Sequence, residues 1–453
     1  MKRLVSSLSA FIFLLFFVAC QSETEVEHLL GREEILEQIT EPVIPSNVVY
    51  LSDFGGRGDS LSDNKAAFDA AIKKLKEAGG GRLVVSSGTY LVNGPIHLVS
   101  NMDLHLEKGA TIRFSSVPEH YLPVVETSWE GTFLYNYSPF IYAKQCSNLM
   151  ISGEGVIDGE GAAPWSDWKA KQQSDQQLSR DMNHQGVPLE KRIFGEGHFL
   201  RPHLIQFFDC EQVMVEGVRI EDSPFWCVHL LRCENVIVRG ISFNAHNKNN
   251  DGIDPEYSRN VLIEDVQFNN SDDNVAIKAG RDDEGRSSKH GSENIIVRNC
   301  HFKGLHAFVI GSEMSAGVQN VHVYDCDFAG DLKRGIYLKS NPDRGGFIRN
   351  VFVSNLRFGK VEDAIYITSY YHNEGEGHQT EIANIHFENL SFMEATGTGI
   401  VLQGFPDKKL SNIYLRNVNI KSAANALTMT DTENITMSNV LIGEPATVPS
   451  AVH

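Results

Sequence analysis

The sequence predicts an all-β protein: a single domain wound as a right-handed parallel β-helix, with one helix capping its N-terminal end. Three observations carry this expectation. Segments with the period-2 alternation of strands recur through most of the chain. They return every 22 to 34 residues with no helical pattern between them, as in a solenoid of stacked coils. A stretch near the N-terminus instead spaces its apolar residues as a helix does.

The chain begins with Lys2 and Arg3, followed by "LSAFIFLLFFVA", an apolar run too short for a stable membrane span. It closes on "FVAC", with small Ala19 before Cys20. Residues 1–20 thus resemble a bacterial lipoprotein signal, cleaved before a cysteine that carries lipid, although Phe17 stands where that motif usually has Leu. The expectation is an exported protein held in the bacterial envelope by a lipid anchor at Cys20. Residues 21–47, opening on "QSETEVEHLLGREEILEQIT", are acidic and read as a tether with one short helix. In "SDNKAAFDAAIKKLKEAGGG", Ala67, Phe68, Ala71, Ile72 and Leu75 share one helical face and Gly79 stops it. Such a helix covers the open end of a solenoid. "RGD" at Arg57 to Asp59 sits inside "DFGGRGDS" and reads as a turn. The β-helix is expected over 48–443, with 444–453 as a tail.

The repeat itself has one form: Asn, then alternating apolar residues, then an aromatic or aliphatic close. "NVIVRGISF", "NVLIEDVQF", "NIIVRNCHF", "NVHVYDCDF", "NVFVSNLRF", "NIHFENLSF", "NIYLRNVNI" and "NITMSNVLI" begin at Asn235, Asn260, Asn294, Asn320, Asn350, Asn384, Asn412 and Asn434. "NLMISGEGVI" from Asn148 and "QVMVEGVRI" from Gln212 fit upstream. A second strand family lies between them, including "DGIDPE", "NVAIKAG", "HAFVIGSE" and "RGIYLKS". Parallel strands of successive coils lie about 4.8 Å apart, so equivalent positions stack into columns. The cysteines follow those columns: Cys146, Cys210 and Cys233 each precede a repeat start by two residues, and Cys300 and Cys326 each follow one by six. That pattern points to stacked, buried thiols rather than disulfides.

The formal net charge of -18 argues against a nucleic-acid partner, which needs a broad basic face. A local basic pocket for an acidic substrate remains compatible with it. No zinc or phosphate-binding motif is present, and no cofactor or metal is expected.

Stacking the second strand family gathers the chemistry. When "DGIDPE", "DNVAIK", "HAFVIG" and "RGIYLK" are aligned, the first column reads Asp251, Asp273, His306, Arg334. The last reads Glu256, Lys278, Gly311, Lys339, and Asp272 stands just before the first. Four coils span only about 15 Å, so these groups can share one substrate. Each residue alone is more often a turn residue or a solvated strand end. Their joint occurrence in register is what a surface without function does not explain.

"NNDGID", "SDD", "LHAFVIGSE" and "RGIYLKS" resemble the four motifs of glycoside hydrolase family 28, the polygalacturonases and their relatives, over roughly residues 48 to 440. The resemblance implies a pectin lyase-like solenoid and an inverting hydrolase acting on α-linked galacturonides of pectin. It implies Asp272 as general acid, Asp251 and Asp273 as the pair holding and activating water, and His306 as a hydrogen-bonding partner. It implies Lys339 as the lysine that binds a substrate carboxylate. Inverting glycosidases work this way, and crowded carboxylates raise the pKa of one member. The sequence departs from the motifs at Asn250, Leu305 and Ala307, and the motif arginine falls on Tyr337. Arg334 and Arg344 are candidate replacements as a fork for a carboxylate, and Lys278 and Tyr337 are further candidate substrate contacts.

Two insertions interrupt the repeat, residues 163–202 and 369–380. If they wall the groove into a pocket, the enzyme is exo-acting. If they lie away from it, the site is open. His372 and His378, in the second insertion, read as solvated. The alternatives are a rhamnogalacturonan hydrolase of the same family, a calcium-dependent pectate lyase, and a non-catalytic glycan-binding β-helix. The last leaves the Asp251, Asp272, Asp273 cluster without a purpose.

Overall fold

A computed structural model describes residues 29–444; Cys20 and the expected signal lie outside the described residues. The Asn-led segments form one long parallel sheet. Leu149, Val213, Val236, Val261, Ile295, Val321, Val351, Ile385, Ile413 and Ile435 stand opposite one another in unbroken succession. The chain is a right-handed parallel β-helix, as the repeat predicts.

The repeat starts are the corners. Asn235, Asn260, Asn294 and Asn320 have φ of 54 to 56°, the left-handed conformation that Asn tolerates better than other residues with a Cβ. Each amide also bonds the one below: Asn294 Nδ2 donates to Asn260 Oδ1 at 3.0 Å and Asn320 Nδ2 to Asn294 Oδ1 at 2.8 Å. The aromatic closes stack inside. Phe243, Phe268, Phe302, Phe328, Phe358 and Phe392 form a column of near-parallel rings 3.7 to 5.2 Å apart.

Over the described part of the expected tether, the chain is docked rather than free. Helix α1 (Arg32–Gln38) buries Ile35 against Leu262 and Ile296, Asn320 Nδ2 donates to Leu30 O at 3.0 Å, and Arg239 pairs with Glu41 at 2.9 Å. Helix α2 (Lys65–Glu77) is the expected cap and buries Ala67, Phe68, Ala71, Ile72 and Leu75. At the other end the strands Ala423–Thr430 and Thr432–Ile442 leave Leu427, Met429, Met437 and Leu441 exposed. The six cysteines among the described residues are free thiols, buried except for half-buried Cys146.

Candidate active site

Four adjacent strands carry the site: Ile253–Glu256, Asp273–Ile277, His306–Ile310 and Asp331–Lys339. Asp273 stands opposite His306, and His306 opposite Arg334. Ile253 stands opposite Val275, which brings Asp251 into line with Asp273. Ile277, Ile310 and Leu338 are in register, so Lys278, Gly311 and Lys339 align too. Both columns expected from the sequence therefore exist.

The turns that present the acids are tied to neighbouring coils. Asn250 Nδ2 donates to Ser223 O and Phe225 O at 2.7 and 2.9 Å, locking the approach to Asp251. Asn270 Nδ2 donates to Asn250 O at 2.9 Å and to Asp273 O at 3.1 Å. Between the two acid-bearing turns sits Gly252, where a Cβ would lie 2.5 Å from Asn274 O. Only glycine permits that approach.

The acids divide by the direction in which their pKa values are shifted. Burial, and then the charge of Asp273, raise the pKa of Asp272. Burial, then Asp254 and Asp272, push Asp251 well above the usual carboxylate range. Burial also raises Asp254, against the pull of Lys278. Asp273 goes the other way. Burial opposes its ionisation, but Lys339, the hydrogen bond from His306 and Lys278 outweigh it and hold the carboxyl well below its ordinary value. The contacts are direct: Lys339 Nζ lies 2.9 Å from Asp273 Oδ2, and His306 Nδ1 lies 2.6 Å from Asp273 Oδ1. The Asp273 N–H donates to Asp272 Oδ1 at 3.1 Å, so an acid with a lowered pKa and one with a raised pKa sit side by side. This is the arrangement acid–base chemistry needs.

These groups face a cavity of about 390 Å³. Its floor includes Asp251, Asp272, Asp273, Lys278 and Lys339. The first insertion forms helices α3 (Trp165–Lys171) and α4 (Gln173–His184), which contribute Lys169, Gln176 and Arg180. The second contributes Tyr371, His372 and Glu374. Both insertions therefore wall the groove. Arg180 joins the walls, 3.3 Å from Glu374 and 3.5 Å from Glu130.

Other expected contacts fall elsewhere. Arg334 does not line the cavity: it lies over the Tyr337 and Tyr366 rings and pairs with Asp363 at 3.4 Å. Tyr337 does not line it either, being buried with Val309 and Ala276 below Tyr371, where its ring supports Lys339. Arg344 lines the cavity, but its fork is taken by Ser312 O at 2.7 Å and Asp282 at 2.5 Å. Lys278 is buried among Glu313, Asp254 and Asp251 at 3.5 to 3.8 Å. Glu256 points away and bonds Ser128 and His229. His306 contacts Asp273 and does not itself line the cavity. His372 and His378 are both exposed, as expected; His372 also lines the cavity, and His378 pairs with Asp343 at 3.2 Å. Sequence reasoning missed Arg281, Glu313 and Glu374. Arg281 pairs with Asp282, Glu374 and Glu313 at 2.8, 3.0 and 3.7 Å. Arg281 and Glu313 each follow a site strand by a few residues, which is the signal that would have found them.

The chain matches the family described as glycosyl hydrolases family 28 over residues 195–441. It is 27% identical to a probable polygalacturonase of Vitis vinifera over 406 residues, covering 85% of this chain and 77% of the relative. It is 28% identical to an endo-polygalacturonase of Pectobacterium carotovorum subsp. carotovorum over 403 residues, covering 85% and 89%. Among solved structures, a hyperthermoactive exopolygalacturonase of Thermotoga maritima is similar at 39% identity and a TM-score of 0.87, covering 91% of this chain and 95% of that one.

Proposed function

The chain belongs to glycosyl hydrolase family 28, and on that premise we propose that it hydrolyses α-linked galacturonide bonds of pectin with inversion, releasing galacturonate from chain ends. The observation that carries this reading is the placement of Asp272 beside Asp273, which contacts Lys339 and His306, inside a walled cavity. Asp272, whose pKa is raised by burial and by the charge of Asp273, is the general acid for the leaving oxygen. Asp273, kept ionised by Lys339 and His306, takes the proton of the attacking water. Asp251 lies in line with it on the neighbouring coil and positions that water. With Asp272 as acid and Asp273 and Asp251 on the water, the reaction needs no nucleophilic carboxylate, so inversion is expected.

The two insertions and the Arg180 link support exo action, because a walled cavity accepts an end and not a mid-chain. Incubation with homogalacturonan, rhamnogalacturonan and short galacturonides tests this. Monomer is expected within the first minutes, with viscosity falling slowly and NMR showing the inverted anomer. A rapid viscosity drop with mixed oligomers refutes exo action, retention refutes the mechanism, and cleavage of rhamnose-containing backbones alone moves the substrate.

The "FVAC" start supports export and a lipid anchor at Cys20. Cys20→Ala is expected to release the protein from the membrane fraction, and continued membrane association would defeat the anchor.

A further inference from the structure

A uronate substrate needs a cation for its carboxylate, and six cations line the cavity: Lys169, Arg180, Lys278, Arg281, Lys339 and Arg344. Five are already committed. Arg180 pairs with Glu130 and Glu374, Lys278 with Asp251, Asp254 and Glu313, and Lys339 with Asp273. Arg281 and Arg344 share Asp282. Lys169 is different: among the described residues its ammonium has no carboxylate within 4.0 Å and no hydrogen bond, although it lines the same cavity.

Its backbone is well placed to hold a ligand. Lys169 lies on α3, whose Trp165 and Trp168 are buried. Those rings pack edge-on against each other, against Tyr121 and Tyr137, and against Phe199. An anchored stem limits the entropy lost when the ammonium takes a partner. Meanwhile the arginine usual in the fourth family motif is Tyr337, which is buried beneath Tyr371.

We propose that Lys169 is the specificity residue that receives the carboxylate of the uronic acid filling the walled end of the cavity. The role rests on the galacturonide reading above. It transfers carboxylate recognition from a β-helix strand to the first insertion. The electrostatics agree: burial lowers the pKa of Lys169 from its ordinary value, against the attraction of Glu130, and a bound anion would act in the same sense as Glu130, favouring the charged form.

The experiment compares digalacturonate with the same disaccharide methyl-esterified on its non-reducing sugar, for wild type and Lys169→Met. A hydrogen bond between charged groups corresponds to about a 10- to 100-fold change in affinity. KM for the acid is therefore expected to rise by that factor with kcat little changed, while KM for the ester is equal in the two proteins. Lys169→Arg is expected to keep the preference for acid, and Lys171→Met, an exposed neighbour on α3, to behave as wild type. An equal rise for acid and ester, or no rise for the acid, overturns the proposal. Calorimetric titration of free galacturonate into wild type and Lys169→Met adds a readout independent of turnover. If wild type cleaves neither disaccharide, the hydrolysis reading fails, and loss of galacturonate binding in Lys169→Met still decides the role of the lysine.

Discussion

Two columns of side chains cross the same coils and behave oppositely. The corner column stacks like on like: Asn260, Asn294 and Asn320 hand one amide hydrogen bond to the next. The site column stacks unlike on unlike: Asp273 stands opposite His306, which stands opposite Arg334. Backbone register is the same in both. The first column satisfies its polar groups within itself and stabilises the coil. The second shifts the pKa values of neighbouring acids in opposite directions, an arrangement that is costly to bury and suited to acid–base chemistry. One geometry serves stability or chemistry according to what is stacked.

The contrast is broken most severely at Asp272. Asp272→Asn is expected to cost about 10²- to 10⁴-fold in kcat with little change in melting, because the amide cannot donate the proton. Wild-type turnover in this variant would remove the acid from Asp272. Lys339→Met is the next largest. An opposite charge at contact distance lowers a carboxyl pKa by about one to three units, so removing it should move the acid limb of the kcat/KM profile up by about one unit or more. Because Asp273 is depressed in the folded protein, its contribution to stability is present above the unfolded value, about 3.9, and is lost as pH falls. The melting gap between wild type and Lys339→Met is thus expected at pH 7 and should narrow below about pH 4. An unmoved acid limb would show that Lys339 does not set the charge of Asp273. The smallest effect belongs to the corner column. Asn294→Ala puts a side chain that favours negative φ at φ 56° and removes two amide bonds, for a loss of about 2 kcal/mol in denaturant melts with kcat/KM unchanged. A large activity loss there would mean the two columns are coupled.

The repeat made the fold legible, because period-2 alternation and left-handed asparagines are local signals. The register of Asp251, Asp273, His306 and Arg334 could also be read, since stacking turns sequence alignment into space. What could not be read was the direction of side chains beyond the strands. Tyr337 and Arg334 occupy aligned positions yet turn to a tyrosine cluster off the cavity. The walls came from insertions outside the repeat, where alignment gives no coordinate. For that reason Lys169, Arg180 and Glu374 were invisible as site residues, and nothing in the sequence marked exposed His372 as lining the cavity. The exo-or-open question was well posed from length alone, but only placement of the insertions bears on it.

The solenoid also ends differently at its two ends. Helix α2 seals one, while the strand Thr432–Ile442 presents Leu441 at 61% exposure and, among the described residues, has no coil beyond it. Each coil contacts only its neighbours, so loss of structure should travel as a fraying front from this end. From Lys339 the ladder continues to Thr368, Gln403 and Thr430, which is about 14 Å of protective spacer. Amide hydrogen exchange would then fall in steps from Thr432–Ile442 inward. The terminal coils act as a sacrificial sleeve: they can open and close without disturbing the acids that do the work.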